Sequence, residues 1–208
     1  MRELTPTVYI VDDDSGVRSS IRVLMKSMGL AATPFPSARE FLDAYHPNSP
    51  GCLVLDIRMP GMSGLELQET LNERGAVIPV IFITGHGDIS MAVEAMRHGA
   101  FDFLQKPFRD QELIDRVQRA MLKDQEYRHL LSQKEGIVAR LQSLTPRERE
   151  VLDLLVKGNA NKRMAAELGL SQRTVEIHRA HVMEKMGVRS LAQLVRMVLD
   201  AGPAVTTS

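Results

Sequence analysis

The sequence predicts a five-stranded parallel α/β domain, then a long helix, then a small all-helical domain. Strand-like and helix-like segments alternate five times in about the first 120 residues. Residues 109–142 contain no proline and only one glycine, Gly136, so a helix can run through them without a break. Residues 143–201 show only helical patterns. Short apolar strands that alternate with helices form parallel sheets with helices on both faces.

The five strands are predicted from short runs of β-branched, aromatic and other apolar residues. Apolar residues at helical spacing predict the intervening helices, and Ser37 and either Asp14 or Ser15 are the expected N-caps of two of them. The predicted strands are TVYIV (7–11), LAATPF (30–35), CLVLD (52–56), PVIFIT (79–84) and DFLQKPF (102–108), and the helices fall in 12–29, 37–45, 63–75, 89–100 and from 109 onward.

The second half of the chain carries clear helix boundaries. Thr145, Pro146 and Glu148 form the pattern of a capped helix start, and Gly158 ends that helix. A short helix, a turn at residues 169–171 and a longer helix follow, and SLAQLVRMVLDAG closes the domain. We therefore predict domains at 1–125 and 143–208, joined by a helical linker at 126–142.

Charge is distributed unevenly along the chain, although its formal net charge is zero. Residues 1–125 hold 13 basic and 17 acidic residues, whereas residues 143–208 hold 10 basic and 7 acidic residues. A basic C-terminal domain favours a nucleic-acid partner.

No apolar run in the chain is long enough to span a membrane, and the N-terminus does not have the apolar stretch of a secretory signal. The only cysteine, Cys52, is expected to be a small, buried or half-buried apolar residue, and a cytoplasmic location is expected.

Polar residues stand where the predicted strands end: Asp12 and Asp13, then Asp56, Thr84 and Lys106. The carboxyl ends of parallel strands meet at one edge, where such sheets bind ligands. Three converging carboxylates repel one another, and either Mg²⁺ or the lysine can neutralise them. A cation, a lysine and an aspartate nucleophile together suit phosphoryl transfer.

Each of these residues taken alone has a simpler interpretation. Asp12 and Asp13 could cap the following helix, Asp56 could be a surface acid in a turn, and Lys106 could be a solvated lysine. The combination at successive strand ends favours the phosphoryl site.

The motifs VDDD, LVLDIRMPGMSGLEL, VIFITGHGD and DFLQKPF occur in the order found in response regulators of two-component signalling, which residues 1–125 resemble. The C-terminal part resembles LuxR-type helix-turn-helix domains. TGHGD, MAVEAM, TPREREVL and RTVEIHRA together are most similar to the FixJ branch. The resemblance implies a flavodoxin/CheY-like receiver domain that is phosphorylated, and a small DNA-binding domain.

By this resemblance, Asp56 is the phospho-acceptor. Asp13, Asp56 and the main-chain carbonyl of Arg58 would bind Mg²⁺, and Asp12 would assist through water. Thr84 would move to the phosphoryl group, and Lys106 would pair with it.

The resemblance also implies two features near the fifth strand. The Lys106–Pro107 peptide bond would be cis. Phe103 would be a rotameric switch that swings inward when Thr84 moves, although ordinary packing of its ring remains an alternative.

In a helix-turn-helix domain the second helix enters the major groove. Here that helix is predicted at about residues 172–185, with Val175, Val182 and Met186 on its inner face. Arg can bind guanine or phosphate, and Glu can accept a hydrogen bond from cytosine. A solvated face remains the alternative for any single arginine. The predicted DNA-binding residues are Lys162, Ser171, Arg173, Thr174, Glu176, Ile177, Arg179, Ala180 and Lys185.

The resemblance implies a transcription activator that a sensor histidine kinase switches by phosphorylating Asp56. Its other expected partners are promoter DNA, RNA polymerase and, after phosphorylation, a second copy of the chain. One alternative is a DNA-binding protein with a receiver that does not switch. A hydrolase with an aspartate nucleophile is disfavoured, because Arg58 stands where such enzymes have a second aspartate. The only catalysis expected is gain and loss of the chain's own phosphoryl group.

Overall fold

The computed structural model describes residues 5–85 and 89–201, without the side chains of Ile89, Ser90, Ala92 and Ala201. Residues 86–88, which belong to the TGHGD motif, lie outside the described part. The chain divides into two compact units, Met1–Arg128 and His129–Ser208, and each is described by itself.

The first unit is built on a five-stranded parallel sheet in the order β2-β1-β3-β4-β5, which confirms the predicted fold class. The chain leaves β1 for β2 on one side and returns to β3 on the other, so the strand order reverses between β1 and β3. The elements are β1 Thr7–Val11, α1 Ser15–Ser27, β2 Ala31–Phe35, α2 Ala38–Ala44, β3 Gly51–Asp56, α3 Gly64–Glu73, β4 Val80–Thr84, α4 Ile89–Arg97, β5 Asp102–Gln105 and α5 Asp110–Gln142.

Both faces of the sheet are covered by helices. Alternate residues of β3 point to opposite faces: Leu53 and Leu55 pack with residues of α2, α3 and α4, whereas Cys52 and Val54 pack with residues of α1 and α5. Cys52 is fully buried, as expected, and burial raises the pKa of its thiol. The buried strands fix the edge at which the polar residues meet.

The predicted helix caps are present in this unit. Asp14 caps α1, and its carboxylate accepts hydrogen bonds from the main-chain N–H groups of Gly16 and Val17. Ser37 caps α2 in the same way through the N–H of Glu40. The start of α1 is therefore capped by Asp14, which leaves Asp12 available to the strand-end site.

Helix α5 is a single helix of 33 residues, of which the predicted linker forms the last part. Near its middle, Asp124 is 3% exposed and accepts hydrogen bonds from Gly51 N (2.9 Å) and Arg128 Nε (2.8 Å). Arg128 also donates to the carbonyls of Asn48 (2.9 Å) and Ser49 (2.7 Å). These bonds, which we call the Asp124–Arg128 anchor, attach α5 to the segment that leads into β3.

The second unit is helical, with α6 Pro146–Val156, α7 Asn161–Leu168, α8 Gln172–Met186 and α9 Leu191–Ala201. Thr145 caps α6 in a capping box with Glu148, as predicted. The predicted turn joins α7 to α8, and its first residue, Gly169, has φ +67°, a backbone region that favours glycine. No helix within the described residues is long and apolar enough to cross a membrane.

Candidate functional site

The polar residues predicted at the strand ends lie together at the carboxyl edge of the sheet. Asp12 follows β1, Asp56 ends β3, Thr84 ends β4 and Lys106 follows β5. Asp12, Asp56 and Thr84 are only 1%, 7% and 4% exposed. β1 and β3 pair in register as far as Val11 and Leu55, so the next residues, Asp12 and Asp56, are held at the same level of the sheet.

The Lys106 ammonium bridges the two buried carboxylates. Its Nζ lies 2.8 Å from Asp12 Oδ2 and 2.6 Å from Asp56 Oδ1. The second oxygen of each carboxylate accepts a main-chain N–H, from Asp14 to Asp12 (2.8 Å) and from Arg58 to Asp56 (2.7 Å). Each acid is therefore oriented by one cation and one fixed amide.

Burial and charge act in opposite directions at this site. Burial raises the pKa of Asp56, and the hydrogen bond and charge of Lys106 only partly oppose this effect. Burial alone would lower the pKa of Lys106, but its hydrogen bonds to Asp12 and Asp56 outweigh burial and raise that pKa. The lysine is therefore positively charged at neutral pH. Two carboxylates face this one ammonium, which favours an added cation.

The chemistry of these oxygen donors fits Mg²⁺. Within the described residues no three His, Cys, Asp or Glu side chains are close enough to enclose a metal ion. Mg²⁺ usually keeps several waters and binds through only one or two carboxylates, together with phosphate oxygens, so it does not require such a cage. Asp56, buried Asp12 and exposed Asp13 can supply those oxygens.

Thr84 and Phe103 are the two residues predicted to take part in a switch. Thr84 Oγ1 donates a hydrogen bond to the carbonyl of Gly85 at 3.2 Å. Phe103, on β5, is 42% exposed, and its carbonyl accepts a hydrogen bond from Arg116 Nε. The Lys106–Pro107 peptide bond is cis, as expected.

In the second unit, α8 buries one face and exposes another. Val175, Val182 and Met186 are fully buried, as the helical spacing predicted. The Ser171 hydroxyl caps α8 by accepting the N–H of Thr174 at 3.1 Å. The outward positions predicted to contact DNA are exposed at Arg173, Glu176, Ile177 and Ala180, half-buried at Arg179, and exposed at Lys162 on α7.

Sequence reasoning missed an amide that lies between two of these residues. Asn161, the first residue of α7, accepts a hydrogen bond from Arg179 Nη1 at 3.0 Å. Its Nδ2 donates to Glu176 Oε1 at 3.5 Å, which is a long contact. The turn between α7 and α8 brings these side chains together, and no periodic pattern marks Asn161 in the sequence.

Lys185, predicted to contact DNA, has an acceptor inside the second unit. Its ammonium lies 2.6 Å from Glu148 Oε2 and 3.3 Å from the carbonyl of Ser143. The hydrogen bond from Lys185, followed by that from the main-chain N–H of Thr145, lowers the pKa of Glu148 to about 2. This carboxylate joins the start of α6 to the end of α8.

Comparison with known proteins covers both units. Residues 8–118 match the response regulator receiver domain, and residues 142–198 match bacterial regulatory proteins of the LuxR family. The chain is 50% identical over 197 residues to transcriptional regulatory protein FixJ of Azorhizobium caulinodans, covering 95% of this chain and 93% of that protein.

It is also 50% identical over 190 residues to nodulation protein W of Bradyrhizobium diazoefficiens, covering 91% of this chain and 84% of that protein. A solved structure of the response regulator StyR is 46% identical, with a TM-score of 0.88, and the match covers 94% of this chain and 98% of that one. A receiver domain followed by a LuxR-family DNA-binding domain places this chain among the response regulators of two-component systems.

Proposed function

We propose that Asp56 accepts a phosphoryl group from a sensor histidine kinase and that this modification switches the chain as a transcription activator. The observation that carries the proposal is the Lys106 ammonium, held between two buried carboxylates at the edge where the strand order reverses. An oxygen of Asp56 would bond to phosphorus as the bond between phosphorus and the kinase histidine breaks.

Residues of the receiver would position and neutralise the group. Lys106 would transfer one hydrogen bond from Asp56 to a phosphoryl oxygen, and the Thr84 hydroxyl would donate another. Asp13, Asp56 and the carbonyl of Arg58 would hold Mg²⁺, with Asp12 acting through water. Bound Mg²⁺ would supply positive charge to the phosphoryl oxygens. The same groups would support gain and loss of the chain's own phosphoryl group.

Phosphorylation would be transmitted to a second copy of the chain. Phe103 would turn inward as Thr84 moves, and so change a surface formed by α4 and β5. Large apolar side chains are exposed there: Val93 and Met96 on α4, and Phe103 on β5. An exposed apolar patch of this kind is typical of an interaction surface, which supports a homodimer.

The dimer would present two α8 helices to a pseudo-palindromic promoter site. Because that DNA lies in the bacterial cytoplasm, we expect the chain to act there and to recruit RNA polymerase. Base and phosphate contacts would come from the exposed side of α8 and from α7, through Lys162, Ser171, Arg173, Thr174, Glu176, Ile177, Arg179, Ala180 and Lys185.

Beryllofluoride, a phosphoryl mimic, tests the proposal when it is added with Mg²⁺. Wild type, Asp56→Asn and the control Asp43→Asn, which removes an exposed carboxylate on α2, are compared by light scattering and by gel shift on promoter fragments. We expect wild type and the control to dimerise and bind more tightly, whereas Asp56→Asn does not respond. An equal response from all three proteins would show that Asp56 is not the acceptor. No response from any of them would favour a receiver that does not switch.

A further inference from the structure

The Asn161 side chain is not used to cap its own helix. The N-cap of α7 is Ala160, which makes no side-chain hydrogen bond to the helix. Asn161 stands one residue later, and its amide instead contacts two residues of α8, Arg179 at 3.0 Å and Glu176 at 3.5 Å. This amide is therefore directed at the DNA-facing helix.

The contact requires a group that both accepts and donates hydrogen bonds. A guanidinium only donates hydrogen bonds and a carboxylate only accepts them, so a group between Arg179 and Glu176 must accept on one side and donate on the other. The Asn161 amide does both in one orientation, with Oδ1 towards the arginine and Nδ2 towards the glutamate. An aspartate at this position would place a second negative charge beside Glu176.

Long side chains lose conformational entropy when a ligand fixes them. For arginine and glutamate this cost is about 1.5–2 kcal/mol when the side chain is fully ordered. Glu176 is exposed and Arg179 only half-buried, so packing alone does not hold either of them. A hydrogen bond that orders them before DNA arrives lowers that cost.

We propose that Asn161 is a positioning residue for base recognition, which aligns Arg179 and Glu176 before α8 enters the major groove. The inference rests on the proposed DNA-binding role of α8. The ligand is duplex DNA with G·C pairs under both side chains, because arginine binds guanine O6 and N7 and glutamate accepts from cytosine N4.

The test uses the full chain with Mg²⁺ and beryllofluoride and selects bound duplexes from a randomised library. Asn161→Ala is compared with Arg179→Ala, Glu176→Ala and the neighbouring Lys162→Ala. We expect Asn161→Ala to relax preference at the same base positions as Arg179→Ala and Glu176→Ala. Its ratio of specific to non-specific affinity should fall about three- to tenfold, with an unchanged salt slope.

Lys162→Ala provides the contrast within the same turn of α7. Removing a phosphate contact should weaken binding to all duplexes alike and reduce the salt slope by about one. Asn161→Asp separates the two contacts of the amide, because it keeps an acceptor for Arg179 and repels Glu176. Its loss of preference should be confined to the positions that Glu176→Ala affects. Amide hydrogen exchange across α7 and α8 verifies that each variant is folded.

Three results would overturn the inference, and they can be distinguished. If Asn161→Ala keeps the wild-type base preference while Arg179→Ala and Glu176→Ala relax it, α8 binds bases as proposed but Asn161 does not position it. If neither of those two variants changes the preference, the proposed base contacts fail and the inference fails with them. Additive losses in the double variant of Asn161 and Arg179 would also contradict coupling between the two residues.

Discussion

Replacing Glu148 with glutamine should destabilise the second unit by about 1–2 kcal/mol. The carboxylate is buried and bonds both the Lys185 ammonium and the N–H of Thr145. Glutamine can still accept the Thr145 N–H, since Glu and Gln both serve in a capping box. The change therefore removes mainly the ion pair. A hydrogen bond to a charged group contributes about 1.5–3 kcal/mol, and partial exposure of Lys185 reduces that value.

The effect should depend on pH in a defined direction. The folded-state pKa of Glu148 is about 2, below its usual value near 4.5. An acid whose pKa is lowered by folding stabilises the fold above its unfolded pKa, and this stabilisation is lost as pH falls through the folded pKa. The difference in free energy of unfolding between wild type and Glu148→Gln should have its largest value above about pH 4.5 and should decrease as pH falls towards about 2.

Amide hydrogen exchange with mass spectrometry is the suitable assay. The chain has no tryptophan, and its tyrosines all precede residue 129, so intrinsic fluorescence would not report on the second unit. Exchange in peptides from α6 and α8 is followed in urea. The control is Glu150→Gln, which breaks an exposed pair with Arg147 on the same helix and should cost less than about 0.5 kcal/mol. Equal exchange in Glu148→Gln and Glu150→Gln would refute the reasoning.

Three further changes test other contacts. Lys106→Ala leaves two buried carboxylates without their cation. MgCl₂ should therefore stabilise the receiver of this variant against heat more than it stabilises wild type, with Mg²⁺ affinity raised about tenfold or more. An identical response of the two proteins to Mg²⁺ would contradict this. Lys185→Ala should lower stability through loss of the Glu148 pair and reduce the salt slope of DNA binding by about one; an unchanged slope would remove Lys185 from the DNA contacts. Asp124→Ala leaves the buried N–H of Gly51 without its acceptor. Urea unfolding should show that the free energy of unfolding of the receiver falls by about 2–3 kcal/mol. A decrease of less than about 0.5 kcal/mol would show that water replaces the carboxylate.

The receiver site was predictable because its placement follows from topology alone. Residues that end parallel strands meet at one edge whatever the details of packing, so Asp12, Asp56, Thr84 and Lys106 could be placed together from the strand pattern. Periodicity likewise predicted the inner face of α8. The resemblance to response regulators added roles to these positions.

The contacts that sequence reasoning missed join residues far apart in the chain. Asn161 and Arg179 are 18 residues apart, and Glu148 and Lys185 are 37 apart. Glu148 was predicted as a capping residue from local spacing, and that prediction is confirmed, but its second partner depends on how α6 packs against α8. Local patterns report hydrogen bonds within a helix start, whereas pairs between helices depend on tertiary packing.

The Asp124–Arg128 anchor has a practical consequence for isolating the receiver. The family match ends at residue 118, and a fragment cut there would lack both side chains. The Gly51 N–H and the carbonyls of Asn48 and Ser49 would lose their partners on α5. A receiver expressed on its own should therefore end after Arg128, and a fragment that stops ten residues earlier should be less soluble and more easily cleaved by protease ahead of β3.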